Sequence, residues 1–571
     1  MLKELRIVKI LLIIILNLNF YLIKTSTFDS LSKFFDLQPI KQLDSTKISL
    51  LKDSYTSLTN CLKDQINLSD QNLSSSSKLF LKNQPGYHNA SLTYNLAIQH
   101  KPLTIFYPDS PVEISIAIRC ANLFRTVIVT RSGGHSYSSF GTRDNSLVID
   151  VSNLNHFRFE SNNKGRVGEL VNIGAGLRLG DLDISLAERE RAIGHSSEPY
   201  IGVSGHALCG GFGFSSRLWG LFQDQVIEME VVKATGEIVK VSESKNSDLF
   251  FAMRGAGSSF GILTSMTLRT ESEPRTVIHF RTNYRFPDYL TAASALKNFQ
   301  TWSIESAPPS LGIRWNISLV PTDVDDDDDN NNNKVESNQF VLNWQLKGSY
   351  IGHYGRFEKI YRSLTDRFGY DSEDDESIER LNWIDSAKML ADGRNLSSDG
   401  INPTTYNSSF YAKSLIVKDS EQLNFSTILN FTKLLYNFSD EYKNLTDLLK
   451  GWLIEIHLMG GSFEGQPTGI KHLSNPRTSS FGPRDGLLLI QMIGEKESSD
   501  DKGLILSFFE SIYRSLGGGR NELIGFSCFS DSRFSSDRAH REYFGKDLTR
   551  RLKELKSRYD PSRIFQNPHN F

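Results

Sequence analysis

Cysteine is scarce in this chain. Cys61, Cys120, Cys209 and Cys528 are the only four among 571 residues. None of them lie at zinc-ligand spacing, so no metal is expected. An excess of charge of either sign is also missing. With 64 basic and 66 acidic residues the net charge is -2, which leaves no electrostatic footprint for nucleic acid and implies no acidic partner. A long apolar run is lacking too: Ile10–Leu16 is unbroken but short for crossing a bilayer. No internal repeat is evident. The Asp325–Asp329 and Asn330–Asn333 tract reads as a solvated hairpin loop. It has no glycine turn of the kind a calcium loop uses.

What is present is the texture of a folded globular protein, 39% hydrophobic and 11% aromatic, long enough for two or more domains. Lys3, Arg6 and Lys9 precede the Ile10–Leu16 run, and Asn17 and Asn19 dilute the stretch after it. Residues 1–26 therefore read as a secretory signal, with an uncleaved membrane anchor or a buried helix as the alternatives, and an extracellular location is expected. Asn67, Asn72, Asn89, Asn316, Asn395, Asn407, Asn424, Asn430, Asn437 and Asn444 each open an Asn-x-Ser/Thr sequon, which fits export. The spacing from Asn424 to Asn444 suggests one sugared surface helix. An oxidising compartment would permit one or two disulfides, and the cysteine count does not choose their pairing.

Along the chain, Leu103-Thr-Ile-Phe-Tyr107 is a strand candidate stopped by Pro108, and Asp109-Ser110-Pro111 starts a helix through Ile114, Ile118 and Cys120. Val127–Thr130, Leu147–Val151, Leu170–Ile173, Val226–Val232 and Ile262–Leu268 read as strands, and Leu177–Glu190 as a helix. Strands interleaved with helices indicate an α+β nucleotide-binding domain. Beyond Pro274, Arg314–Leu319 and Gln339–Gln345 alternate apolar with polar residues, as half-solvated antiparallel strands do. The tail is helical from Arg538 to Lys556 and is broken by Tyr559-Asp560-Pro561.

Three glycine-rich segments carry the chemistry. Thr130-Arg131-Ser132-Gly133-Gly134-His135-Ser136-Tyr137 follows a buried strand, and consecutive glycines there suit close backbone approach to a pyrophosphate. Gly202-Val203-Ser204-Gly205-His206-Ala207-Leu208-Cys209-Gly210-Gly211-Phe212-Gly213 supplies a second turn, and Asp248 to Ile262 a third. Two such turns in one domain can clamp a dinucleotide. Neither glycine turn has the strand, Gly-x-Gly-x-x-Gly and helix of the Rossmann fingerprint.

Together these segments resemble the berberine-bridge-enzyme-like flavoprotein oxidases of the vanillyl-alcohol-oxidase superfamily, nearest the fungal glucooligosaccharide-oxidase-like branch. The likeness runs from about Leu58 to the C-terminus and includes the closing Tyr559-Asp560-Pro561-Ser562-Arg563-Ile564-Phe565. It implies a two-lobed PCMH-type FAD-binding domain over 58–274, a substrate-binding domain over 275–520 with an antiparallel sheet covered by helices, and a segment over 521–571 returning to the FAD domain. His135 would be joined to the flavin 8α-methyl group. Arg131, Ser132, Gly133, Gly134, Ser136, Val203, Ser204, Gly205, His206, Gly211 and Gly213 complete the implied cofactor set, with Ile262 contributing backbone contacts. His206 is more readily explained as a turn histidine. The resemblance also implies a Cys61–Cys120 disulfide, with Cys209 and Cys528 unpaired.

The chain departs from the family at three places. Glu198, in Ser197-Glu198-Pro199-Tyr200-Ile201-Gly202, stands where many relatives carry a second flavin-linking cysteine, so a single link is expected. Ile201, where the family tunes oxygen access, does not settle the acceptor. Phe526-Ser527-Cys528-Phe529-Ser530-Asp531 replaces Tyr-x-Asn-Tyr-x-Asp, so no tyrosinate base can come from there. On Trp452-Leu-Ile-Glu455-Ile-His457-Leu-Met-Gly460-Gly461, alternation puts Glu455 and His457 on one face. A carboxylate beside a histidine in a semi-apolar cavity could have a pKa suited to proton abstraction. Glu455 is thus the expected base, with His457 beside it and Gln491 facing the substrate. Trp383, Tyr406 and Trp452 are candidate stacking surfaces. The expected activity is oxidation of a hydroxyl group of a carbohydrate or other small alcohol, with oxygen as acceptor, by a chain expected to be monomeric. A dehydrogenase with another acceptor, or a flavin-retaining glycoprotein with little turnover, are the competing readings.

Overall fold

The computed structural model describes residues 57–66, 78–160, 169–321, 340–372, 376–399, 407–442, 451–470, 478–495, 503–519 and 524–571, all within one compact unit, Ser57–Phe571. Residues 1–26, the Asp/Asn tract, Tyr406 and the sequons at Asn67, Asn72 and Asn444 lie outside the described residues.

Two small sheets build the first part. Strands β1 (Leu79–Leu81), β2 (Thr104–Phe106), β3 (Ile128–Arg131) and β4 (Leu147–Asp150) form a sheet in the order β1-β2-β4-β3, with β2 and β3 parallel to β4. A parallel pair needs a crossover, and helix Pro111–Leu123 connects β2 with β3. Its start matches the sequence signal: Ser110 Oγ accepts from Glu113 N–H at 3.3 Å and Pro111 opens the first turn. Cys120 on this helix is disulfide-bonded to Cys61. The second sheet, β5 (Phe157–Phe159), β6 (Leu170–Gly174), β8 (Val226–Val232), β9 (Ile238–Ser242) and β10 (Ile262–Arg269), is antiparallel in the order β5-β6-β10-β8-β9. A short pair, β7 (Arg191–Ala192) and β11 (Glu271–Ser272), lies beside it. The helix expected over Leu177–Glu190 spans Leu179–Ala187.

The larger sheet is antiparallel and seven-stranded. It comprises β12 (Val277–Tyr284), β13 (Leu311–Pro321), β14 (Phe340–Ile351), β15 (Ser377–Leu381), β16 (Phe410–Lys418), β17 (Trp452–Leu458) and β20 (Gly486–Glu495), in the order β15-β12-β14-β13-β17-β20-β16. The two-residue strands β18 (Ser462–Phe463) and β19 (Gln466–Pro467) form a separate hairpin. One face of the large sheet is covered by helices. Trp315, Trp344 and Trp452 are on that side, all 2% exposed or less, and Trp452 packs against Phe438 and Phe508. Trp452 is therefore core and offers no stacking surface, because its strand parity is opposite to that of Glu455. On the other face half-buried Arg314, Asn316 and Ser318 alternate with buried Trp315 and Ile317.

The chain then returns to the first sheet. Helix Ser536–Tyr559, interrupted at Gly545, is followed by a turn whose N–H groups at Ile564 and Phe565 bond the Asp560 carboxylate at 2.8 and 3.0 Å. Phe565 bridges to Ile128 of β3. The aspartate of the closing motif is thus a backbone cap.

The cysteine expectation needs correcting. Cys209 and Cys528 are disulfide-bonded, with Cα atoms 5.2 Å apart. The short helix Val203–Cys209 ends against the turn Ser527–Phe529, where Ser527 Oγ donates to Cys209 O at 3.1 Å. A separation of 319 residues hides this neighbourhood from any local reading.

Candidate active site and cofactor cavity

The two glycine turns meet backbone to backbone. A Cβ at Gly133 would lie 2.3 Å from Gly202 N, and one at Gly202 would lie 2.2 Å from Ser132 Oγ and 2.3 Å from Gly133 N. No side chain fits at either position, so the glycines are needed for this junction. Ser132 Oγ donates to Ala175 O at 2.8 Å and ties the junction to the second sheet.

A cavity opens beside the junction. Its walls include Ser132, Ser204, Gly205 and Ser258, with Asn567 and His569 from the C-terminal segment. A Cβ at Gly205 would touch nothing within 4 Å, so the backbone is bare toward open space. Hydroxyl groups, bare peptide and an apolar floor of Leu263 and Phe571 are the donor set that a dinucleotide with one pyrophosphate requires. The residues present fit FAD.

Several residues of the expected cofactor set do other work. Arg131 donates from Nε to Asp150 at 2.5 Å, and its remaining groups bond Ala90 O, Leu92 O and Tyr107 Oη. Its guanidinium is engaged by the protein. The His206 ring accepts from Ser196 N–H at 3.2 Å and rests on Phe222; burial, reinforced by the nearby His195, holds its pKa down at about 3. The His206 ring is thus engaged by the protein. At Gly211 and Gly213 a Cβ would strike Phe222 and the His195 carbonyl, so both serve chain packing. Ile262 is fully buried at the start of β10 and does not line the cavity.

His135 stacks on Tyr94, with ring centroids 4.5 Å apart. Burial first, then the charges of Arg178 and Arg394, lowers its pKa to about 3. The imidazole is therefore neutral, the form in which a ring nitrogen is nucleophilic. Arg394 is ion-paired to Glu198.

Across the large sheet the register sets one polar residue per strand in a single row. Asn283 pairs with Gln345, Gln345 with Asn316, Asn316 with Glu455, Glu455 with Gln491, and Gln491 with Ser414. The row runs from half-buried Asn283, Gln345 and Asn316 to buried Glu455, Gln491 and Ser414. Asn316 heads a sequon, yet it sits in mid-sheet within this row. By contrast Asn424, Asn430 and Asn437 are exposed, the last two on helix Phe425–Tyr442.

The buried end lies between the two glycine turns. Gln491 Nε2 donates to Tyr137 Oη at 3.1 Å, and Tyr137 stacks on Phe529 at 5.2 Å. His457 meets the ring of Phe212 edge-on at 5.8 Å. Glu455 bridges: Oε1 is 2.8 Å from Arg314 Nη1, and Oε2 is 3.2 Å from His457 Nε2. Burial alone would raise the Glu455 pKa, but Arg314 and the His457 hydrogen bond outweigh it and hold it at about 2. The expectation of a carboxylate with a pKa suited to proton abstraction is corrected here, because Arg314 approaches from the neighbouring strand. The sequence pattern assigns roles to Glu455, His457 and Gln491, passes over Arg314 and gives Tyr137 no role. The alternation of Arg314-Trp315-Asn316 is the signal that could have found the arginine. Trp383 lies apart, on Trp219 and against a cavity shared with Asp183 and His195.

Residues 102–242 match the family model described as FAD binding domain, and residues 521–571 match the one described as berberine and berberine like. The chitooligosaccharide oxidase of Gibberella zeae is 27% identical over 491 residues, 84% of this chain and 88% of its own length. The FAD-linked oxidoreductase dpmaF of Metarhizium anisopliae is 27% identical over 537 residues, 90% of this chain and 91% of its own length. Among solved structures, the glucooligosaccharide oxidase of Acremonium strictum, with its 6-S-cysteinyl, 8α-N1-histidyl FAD, shares the fold at a TM-score of 0.73 and 23% identity, over 90% of this chain and 98% of its own. Two family matches in chain order, relatives matched over most of their length and a cavity fitting FAD lead to one conclusion: the chain is an FAD-linked oxidoreductase with an FAD binding domain and a berberine-like C-terminal segment.

Proposed function

We propose that this enzyme oxidises a hydroxyl group of a carbohydrate, with FAD linked once, through His135, and oxygen as the final acceptor. The observation that carries the reading is the meeting of Glu455, His457 and Gln491 between Tyr137 of the first glycine motif and Phe212 of the second. A polar row leading away from that point suits a ligand rich in hydroxyl groups, and oxidases of oligosaccharides among the relatives support a sugar. Ser132, Ser204, Gly205 and the Ser258 region would hold the dinucleotide, and His135, neutral in its buried setting, would offer the ring nitrogen for the link to the 8α-methyl group. FAD held there would supply the two-electron chemistry, hydride acceptance from the substrate carbon and electron transfer to oxygen giving hydrogen peroxide. Gln491 and Tyr137 orient the sugar hydroxyl, while the aromatic wall of Phe529, Phe410 and Tyr94 excludes water.

The single link is supported by Glu198, which stands ion-paired to Arg394 where the second linking cysteine of relatives would be. The basic head with its apolar run, and exposed sequons at Asn89, Asn395, Asn424, Asn430 and Asn437, support a secreted glycoprotein. Anaerobic bleaching of the flavin by chitobiose, cellobiose and xylobiose, with peroxide measured in air, tests the activity. No bleaching by any sugar or alcohol overturns it. Flavin released by acid precipitation would overturn the covalent link.

A further inference from the structure

We propose that Nδ1 of His457, and not the Glu455 carboxylate, takes the proton from the substrate hydroxyl, with Glu455 and Arg314 as its positioning pair. The inference rests on the activity proposed above. Three adjacent strands fix the arrangement: Arg314 is opposite His457, and Glu455 is opposite both Asn316 and Gln491. Both carboxylate oxygens are already engaged, one by Arg314 and the other by His457 Nε2. An ionised carboxylate only accepts, so the proton of that contact sits on Nε2. The lone pair is then on Nδ1, which makes no hydrogen bond among the described residues. Phe212 and Phe214 hold the ring from the side of the second glycine turn. A carboxylate orienting a histidine that does the proton transfer is the logic of the acid–histidine half of a hydrolase triad.

The charged groups around the ring agree. Arg314 faces it from β13, Glu455 from its own strand, and Lys347 on β14 acts through Glu455. Burial lowers the His457 pKa below its ordinary value, with Arg314 adding to this and Glu455 opposing it. The ring is neutral at neutral pH. Tyr137 is another polar group at this end of the row, but burial keeps its phenol protonated, and it accepts from Gln491. It can steer a hydroxyl but cannot receive its proton.

In the step, the O–H bond breaks and its proton passes to Nδ1. The C–H bond breaks with its electron pair, the hydride leaves for the cofactor, and the carbon is oxidised by two electrons to C=O. Hydrogen peroxide formed from oxygen balances the electrons and both hydrogens.

The test uses the full flavin-loaded chain and anaerobic stopped-flow bleaching by cellobiose, chitobiose and xylobiose. His457→Gln is expected to bleach about a hundredfold or more slowly at saturating sugar, with flavin content unchanged and the half-saturating sugar concentration altered little. Imidazole should restore part of the rate in His457→Ala. The wild-type rate should fall on the acid side, with its midpoint below the ordinary histidine value of about 6.5. Because Glu455 supports the protonated ring, Glu455→Gln should move that fall to lower pH and slow bleaching less than His457→Gln does. A deeper loss in Glu455→Gln, or no acid limb until the strongly acidic range, overturns the proposal. Independently of turnover, the ¹⁵N-histidine difference spectrum between wild type and His457→Gln should show an Nε2–H tautomer. An Nδ1–H tautomer overturns the assignment even if the chain proves inactive toward every sugar, a result that would sink the proposed activity instead. Should His457→Gln lose its flavin, the wild-type acid limb and its shift in Glu455→Gln decide.

Discussion

The cofactor side and the substrate side of this enzyme are built in opposite ways. Around the cavity, a dozen consecutive residues such as 202–213 supply the turn, the bare backbone and the wall, and Gly133 meets Gly202 with no room for a single methyl group. On the large sheet, the row from Asn283 to Ser414 takes one side chain from each of six strands, and only the register aligns them. A segment built on contact between backbones tolerates no added atom. A row built on side chains can lose one member while the sheet persists, because the other face still buries Trp315 and Trp344.

Breaking the junction should have the largest effect. Gly202→Ala would drive a Cβ into Ser132 Oγ and Gly133 N, which costs on the order of 3–5 kcal/mol if the chain folds at all. The expected outcome is a protein with little bound flavin, read from its visible spectrum. Gln491→Leu on the opposite side should keep its flavin fully and lose sugar-driven bleaching. If both variants lose flavin equally, the contrast fails.

Next is acid sensitivity on the substrate side. The Glu455 pKa is held at about 2 against an ordinary 4.5, so the folded state binds fewer protons than the unfolded one below pH 4.5. The stability this gives is present above that pH and lost as pH falls from 4.5 toward 2, about 3 kcal/mol in all. His457, also lowered, pushes the same way below pH 6.5. Glu455→Gln should therefore flatten the acid limb of a urea-denaturation series while destabilising the protein at pH 7. An unchanged acid limb would show that the ion pair with Arg314 contributes nothing.

The Cys209–Cys528 bridge joins the two sides and sharpens the contrast. Replacing both cysteines with serine should lower stability by about 2–4 kcal/mol, visible as a lower melting temperature. It should also loosen the turn carrying Phe529 against Tyr137, so the substrate-side aromatic wall suffers before flavin content does. Flavin lost in parallel with melting would place the bridge on the cofactor side instead.

The same contrast decides what is legible in the sequence. His135 and its glycine turns, the Ser110-Pro111 helix start and the alternation of β17 can be read because their physics is local. Arg314 cannot, since its partner Glu455 lies far along the chain and only strand pairing brings the charges within 2.8 Å. The chemistry of Trp452 points to a ligand, although its parity on the very strand that identifies Glu455 places it under the helices. Cys528 has nothing near it in sequence that points to Cys209, so their bridge is visible only in three dimensions. Arg131 sits inside the most informative motif and still turns to Asp150: motif membership locates a segment, not the direction of each side chain.

The smallest effect is expected at the open end of the row. Asn283 is four strand spacings from Gln491, roughly 19 Å at about 4.8 Å per strand, and it is only half-buried, accepting from Gln345 and Asn343 at 3.1 and 3.2 Å. A short sugar bound at Gln491 would not reach it, whereas a longer chain lying along the row would. Asn283→Ala should leave kcat for a disaccharide unchanged and raise KM about two- to fivefold only for longer oligosaccharides, the size of one exposed hydrogen bond at about 0.5–1 kcal/mol. Equal KM values for long and short chains in this variant would mean that the ligand leaves the sheet beyond Glu455. The register would then align the outer residues for packing alone, and the substrate side would be as compact as the cofactor side.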